Sequence, residues 1–313
     1  MTGATGFVGQ ALCAQALRAD FQVNAALRTP SPVASGATPI VVGAIDGNTD
    51  WSAALVDTEV VIHLAARVHV MAEQATDPLA EFRSVNVDGT LNLARQAAAA
   101  GVKRFIYISS IKVNGEGTAC GQPYTAEDSP APIDPYGISK YEAEQGLQLL
   151  ATQTGMEVVI IRPPLIYGPG VKANFQSLMK WLNKGIPLPL GAIHNQRSFV
   201  ALANLVDLII TCIHHPSAAN QIFLVADGDA ISTTELLRKV AAALGKQPRL
   251  LPVPRLLLVC TATLLGRQAM AQRLCDNLQI DMDKTQQLLN WQPIVSVDEA
   301  LQTTARHYLQ SQS

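Results

Sequence analysis

TGATGFVG, residues 2–9, is the stretch on which the reading of this chain turns. Gly3, Gly6 and Gly9 stand at GxxGxxG spacing, and small residues let a backbone approach a pyrophosphate closely. A helix starting near Phe7 aims its unpaired N–H groups at that charge. By itself the spacing suits ordinary close helix–strand packing equally well, so its surroundings must decide. Such a turn normally follows a strand, yet only Met1 precedes it. The expectation is a first strand clipped short, leaving its neighbours with unpaired backbone groups and apolar faces.

Working outward, apolar runs read as buried strands at VNAALR (23–28), TPIVVG (38–43), EVVIHLA (59–65), RFIYISS (104–110) and EVVIIRP (157–163). Helical patterns occupy 7–19, 78–100 and 136–153 between them, the second opening on a capping Asp77 and Pro78. Fully apolar strands alternating with helices imply a parallel sheet covered on both faces, a doubly wound, Rossmann-like α/β fold. After about residue 167 the rhythm changes. Prolines crowd IPLPLG (186–191) and LLPVPR (250–255), read as loops or short edge strands. Ser232 with Glu235 and Ser296 with Glu299 announce two helices by capping boxes. QIFLVA (221–226) reads as a strand returning to the main sheet. The division expected is a dinucleotide-binding domain over 1–166, rejoined by 197–226, and a smaller, mostly helical substrate lobe within 167–313.

The totals exclude several classes. With 48% hydrophobic and 15% charged residues the 313-residue chain can bury an ample core, and a formal charge of −2 offers nucleic acid no basic field. Five cysteines without a CxxC pair argue for reduced, cytoplasmic thiols, with no disulfide framework and no metal site. No signal peptide is expected ahead of the first turn. LLLVCTATLLG (256–266), between Arg255 and Arg267, is too short to span a bilayer and reads as a buried helix, or else as a membrane-surface contact.

Two patterns carry chemistry. At the end of the second strand a nucleotide domain usually places an acid for the adenosine ribose, but here Leu27 and Arg28 stand there. A guanidinium at that place binds a 2′-phosphate, which favours NADPH over NAD; the bland reading is a solvated strand-end arginine. Tyr136 and Lys140 form a YxxxK set on one helical face. An ammonium beside a phenol lowers its pKa from about 10, fitting it to exchange a proton with a hydroxyl while hydride moves at the same carbon. YxxxK is common on exposed helices. Ser109 and Ser110, at the end of a parallel strand where open α/β sheets bind ligands, make it specific.

TGATGFVG, HLAA (63–66), ISS (108–110), YGISK (136–140) and RPPLIYGPG (162–170) occur in the order found in the extended short-chain dehydrogenase/reductase family, which this chain resembles over essentially its whole length. The resemblance implies Tyr136 as acid/base, Ser110 (three residues before Val113 of VNG) as its partner on the sugar oxygen, and Lys140 as the nicotinamide-ribose ligand. It further implies Gly3, Gly6, Phe7 and Val8 at the pyrophosphate, Leu64, Ala65 and Ala66 beside the adenosine half, and Pro163 facing the nicotinamide amide. Asn174 and Arg197 match positions that hold a nucleoside diphosphate; alternatively Asn174 caps a helix and Arg197 is a surface strand residue. Where the family often has an Asp for the adenine amine, this chain has Ala44 and Ile45, so that hydrogen bond is missing unless Asp46 takes its place.

Family dehydratases follow their Thr with Asp-Glu; Ile111 and Lys112 follow Ser110 here, so elimination lacks its groups. SSIKVNGE, RPPLIYGPGVKANF and IPLPLG look most like reductases of UDP-4-keto-6-deoxy-N-acetylhexosamines in O-antigen (lipopolysaccharide) synthesis. Reduction with NADPH is therefore the leading expectation. A UDP-sugar 4-epimerase holding NAD is the alternative, and a non-catalytic dinucleotide-binding regulator a second. The resemblance also points to a homodimer through the helix carrying Tyr136.

Overall fold

The computed structural model describes residues 1–68, 77–264, 266 and 268–312. The apolar runs become β1 (Asn24–Leu27), β2 (Thr38–Val41), β3 (Val60–His63), β4 (Arg104–Ile108), β5 (Glu157–Arg162), then β6 (Leu165–Tyr167), β7 (Phe199–Ala201) and β8 (Ile222–Leu224). Strands β3-β4-β5-β8 form one parallel run and β2-β1 another, while β6 and β7 pair apart. QIFLVA thus returns to the main sheet beside β5. Thr2 links the two runs, bridging Ala26 of β1 and His63 of β3. Backbone bonds join the middle of the sheet: the Met1 ammonium donates to the Asn24 carbonyl at 2.7 Å, Ala26 N to the Met1 carbonyl at 2.9 Å and the Thr2 amide to the Ile62 carbonyl at 3.0 Å.

The helices are α1 (Phe7–Arg18), α2 (Ser52–Leu55), α3 (Pro78–Arg83), α4 (Thr90–Ala99), α5 (Pro135–Thr154), α6 (Ala173–Asn183), α7 (Leu202–His214), α8 (Thr233–Ala243), α9 (Arg255–Leu264), α10 (Gln268–Cys275), α11 (Asp283–Leu289) and α12 (Val297–Gln310). Side chains alternate across a strand, and both sets are apolar here. Ile106, Ile108, Val159 and Ile161 pack with Leu12 of α1 and Leu205, Leu208 and Ile209 of α7. Phe105, Tyr107, Val158 and Ile160 pack with Leu93 and Ala97 of α4 and Ala143 and Leu147 of α5. Each buried Val, Leu, Ile or Phe among them contributes about 1.5–3 kcal/mol. The result is a doubly wound α/β sheet.

Arg104, the one charge in β4, is buried yet satisfied. Its guanidinium donates to Cys212, Ile213 and His215 carbonyls at 2.6–3.0 Å, capping α7, and to Glu157 at 2.8 Å. The C-terminal portion is helical, its core formed by Phe175 and Met179 of α6, Leu237 and Val240 of α8, and Leu301 and Tyr308 of α12. Ser296 and Glu299 complete their capping box; Ser232 accepts from Glu235 N without a return bond from the glutamate.

Two expectations need correction. The helix expected over 78–100 is interrupted by a π-turn at Ser84–Gly89, whose extra residue turns Asn86 inward. The apolar stretch at 256–266 is not buried: α9 has no buried residue, and Leu256, Leu257 and Leu264 are 74%, 56% and 86% exposed. Apolarity alone does not tell a helix what it will pack against. Leu265 and Arg267 lie outside the described residues. Among those described, no helix is long and apolar enough to cross a membrane.

Candidate active site

Strand β4 delivers two serines to the carboxyl edge of the sheet, and the structure separates them. Ser109 is buried; its amide bonds Ile161 O at 2.8 Å and its hydroxyl donates to Glu144. Ser110 is half-buried and caps a single 3-10 turn, Ile111–Val113, accepting from Lys112 N at 3.3 Å. Its hydroxyl faces the Tyr136 phenol and favours the ionised form of that phenol. Next to it, Ile111 N donates to Pro163 O at 3.0 Å, which draws the end of β5 alongside.

Tyr136 and Lys140 lie on α5, which Asp134 caps by accepting from Gly137 N at 2.7 Å and which ends on Gly155 at φ 76°. Proline at the first helical position is pre-set for the turn. Lys140 is buried, donates to Ile108 O at 2.8 Å, and stands 4.5 Å from the Tyr107 ring centre and 5.9 Å from that of Tyr136. Burial lowers its pKa to about 7, against the pull of Glu144. The Tyr136 phenol moves the other way, to about 12, through burial and then the Asp134 carboxylate, with Ser110 opposing. The expectation that Lys140 lowers the phenol is therefore corrected: desolvation dominates, and a lysine driven toward neutrality exerts a weakened field.

The glycine turn fits a dinucleotide. Gly3 has φ +68°, and a Cβ there would meet Ala65 N at 3.0 Å. A Cβ on Gly9 would stand 2.0 Å from Gly3 O, so the turn and α1 admit nothing larger. No side chain caps α1, which leaves the amides around Phe7 and Val8 open to an anion. Thr2 Oγ1 accepts from Leu64 N and Ala65 N at 3.2 and 3.1 Å, fixing the Leu64–Ala66 strip against the turn. His63 beneath it is held neutral, its pKa lowered to about 3 by burial and then by Lys140 and the N-terminus. Ile45 is half-buried against Gly89, while the Asp46 carboxylate accepts Asn48 N at 2.8 Å within its own loop.

Comparison with known proteins agrees with this geometry. The family described as NAD dependent epimerase/dehydratase matches residues 1–226. A UDP-glucose 4-epimerase of Vibrio cholerae is 50% identical over 313 residues, covering 99% of this chain and 95% of its own. This chain belongs to the NAD-dependent epimerase/dehydratase family. Among solved structures, a UDP-glucuronic acid 4-epimerase from Bacillus cereus in complex with NAD superposes at TM-score 0.78 with 22% identity, covering 99% and 96% of the two chains. A UDP-glucose 4-epimerase from Thermotoga maritima with UDP-glucose gives 0.77 and 22%, covering 100% and 98%. These two speak for the fold. As a member of the epimerase/dehydratase family the chain is an enzyme that binds an NAD(P) dinucleotide.

The remaining expected site residues are placed as follows. Arg28 is exposed at the end of β1 and makes no hydrogen bond or ion pair among the described residues. Asn174 is exposed in the first turn of α6, while Arg197 is half-buried and donates to Asp276 O at 2.9 Å. Arg197 also forms β-bridges to Ile231 and Leu278. Neither Asn174 nor Arg197 bonds to the Ser110–Tyr136–Lys140 group.

Sequence reasoning missed three polar residues that pack around the candidate site. Asn86, turned inward by the π-turn, accepts Arg67 N at 2.8 Å and donates to Ser139 Oγ and Arg67 O, each at 3.0 Å. Glu144 and Arg162 form a buried ion pair at 2.5 Å that also holds Ser109 and, through Arg162, Asn114. The signal for Glu144 was present: it follows Lys140 by one helical turn on the same face.

Proposed function

We propose that this enzyme interconverts the C4 epimers of a UDP-sugar, with UDP-glucose and UDP-galactose the first pair to test. The 50% identity to a UDP-glucose 4-epimerase across both chains carries the reading. It displaces reduction of a 4-keto sugar, the leading expectation, in favour of the alternative that shares the same groups. In this reading Tyr136 takes the proton of the C4 hydroxyl and returns it, Ser110 holds that oxygen, and Lys140 holds the nicotinamide ribose. A bound nicotinamide supplies a reversible hydride acceptor. Residues within 167–313, Asn174 and Arg197 among them, bind the nucleoside diphosphate, outside the 197–226 return to the sheet except for Arg197 itself.

NAD suits this cycle, because epimerisation returns its hydride each turn and draws on no reducing pool. Incubating the purified protein with UDP-galactose, without added cofactor, should yield UDP-glucose. Failure to interconvert them, together with stoichiometric NADPH oxidation on a UDP-4-keto-6-deoxy-N-acetylhexosamine, restores the reductase.

A further inference from the structure

Lys112 occupies the place where dehydratases of the resemblance carry an acid, and the function above leaves it without a task. It is not a spare proton donor. Its ammonium donates to Glu116 Oε1 at 2.9 Å and to Asp134 Oδ2, with about a quarter of the side chain exposed. Those partners matter because of where they sit. Asp134 spends its other oxygen on Gly137 N, starting the helix that carries Tyr136. The Lys112 amide donates to Ser110 Oγ, so one residue touches the serine through its backbone and the tyrosine's helix through its side chain. The backbones meet there too: a Cβ on Gly137 would lie 3.0 Å from Lys112 O.

We propose that Lys112 is a positioning residue that clamps the Ser110 turn to the start of α5 and screens the Tyr136 phenol from the Asp134 carboxylate. The proposal rests on Tyr136 being the acid/base. Geometry makes the clamp, and electrostatics gives it a signature. Asp134 raises the phenol's pKa, so removing the lysine raises it further, while removing the carboxylate lowers it. Among the described residues, other charged or titratable groups also surround the phenol. Lys140 and Glu144 lie deeper on α5, Tyr107 lies below on β4, and Arg67 packs on Phe82, which meets the Tyr136 ring edge-on at 6.1 Å. Glu116, the second partner of Lys112, also acts on Arg197.

The test compares the pH dependence of turnover on UDP-glucose for the wild type, Lys112→Met, Asp134→Asn and the double variant. Asparagine retains the helix cap. Turnover rises with pH as the phenolate forms. That limb should move up by roughly 0.5–1 pH unit in Lys112→Met, down by a similar amount in Asp134→Asn, and return in the double variant. Lys112→Arg should leave it in place. Limbs that stay put, or both move the same way, overturn the clamp. A wild type without turnover on UDP-glucose overturns the substrate reading instead. The tyrosinate absorbance of each protein, minus that of its Tyr136→Phe counterpart, then reads the same opposite shifts directly. Opposite shifts uphold the clamp and equal ones overturn it.

Discussion

At the scale of single residues, the group formed by Ser110, Tyr136 and Lys140 is more finely balanced than its pattern suggests. A phenol near pKa 12 and a lysine near 7 have both been pushed toward their neutral forms by burial. Tyr136→Phe removes the hydroxyl proposed to exchange the proton, and turnover should fall about 100-fold or more while UDP-sugar affinity holds. Near-normal turnover would place the acid/base elsewhere. Lys140 permits a second test, in stability. Unfolded, the lysine binds its proton up to pH 10.5; folded, only up to about 7. The unfolded state therefore holds more protons across that window, and stability should climb from pH 7 to 10.5. Lys140→Met, stripped of dinucleotide like its control, should lose that climb in urea melts taken at intervals across the range. The spacing of Tyr136 and Lys140 was legible in the sequence. The balance between burial and charge was not, because it depends on how deeply β4 and α5 enclose both groups.

At the scale of elements, strands and the catalytic helix were legible because period and caps agree locally. Asp134, Pro135 and Gly155 mark both ends of α5, and β4 and β5 are apolar on both faces. The π-turn was not legible. Residues 84–89 carry no proline, and a one-residue insertion leaves a helical hydrophobic pattern nearly unchanged. Its consequence is the seating of Asn86, which ties the loop after β3 to Ser139, the neighbour of Lys140. Asn86→Ala would remove its bonds to the Arg67 amide and carbonyl and its buried bond to Ser139 Oγ. The expected loss is about 2 kcal/mol or more of unfolding free energy, read from the urea midpoint. A change within a few tenths would mean that water replaces the amide. Glu144 and Arg162 join α5 to β5 more strongly still, so Glu144→Gln, which strands a buried guanidinium, should cost about 3–5 kcal/mol.

At the scale of the whole molecule, the chain's order of motifs fixes the family, but the choice between net reduction and epimerisation is written nowhere in the three side chains proposed as catalytic. Both reactions use the same proton path. They differ in what leaves after a turnover. A reductase must release its oxidised cofactor each cycle, whereas an epimerase finds its dinucleotide unchanged. Arg28 had tipped the sequence reading toward NADPH; in the structure it is exposed and uncommitted, equally suited to a solvated strand end. Dinucleotide retained on the folded enzyme stabilises it by mass action, about 2.7 kcal/mol when free ligand stands at 100 times Kd. The epimerase reading thus predicts that the purified protein carries NAD, that stripping it lowers the melting temperature, and that NAD restores it better than NADP. Arg28→Ala should leave the NAD-dependent rise intact, since no phosphate waits there for the guanidinium. A larger rise with NADP, lost in Arg28→Ala, would identify a 2′-phosphate clamp and an exchanging cofactor, and with them the reductase cycle.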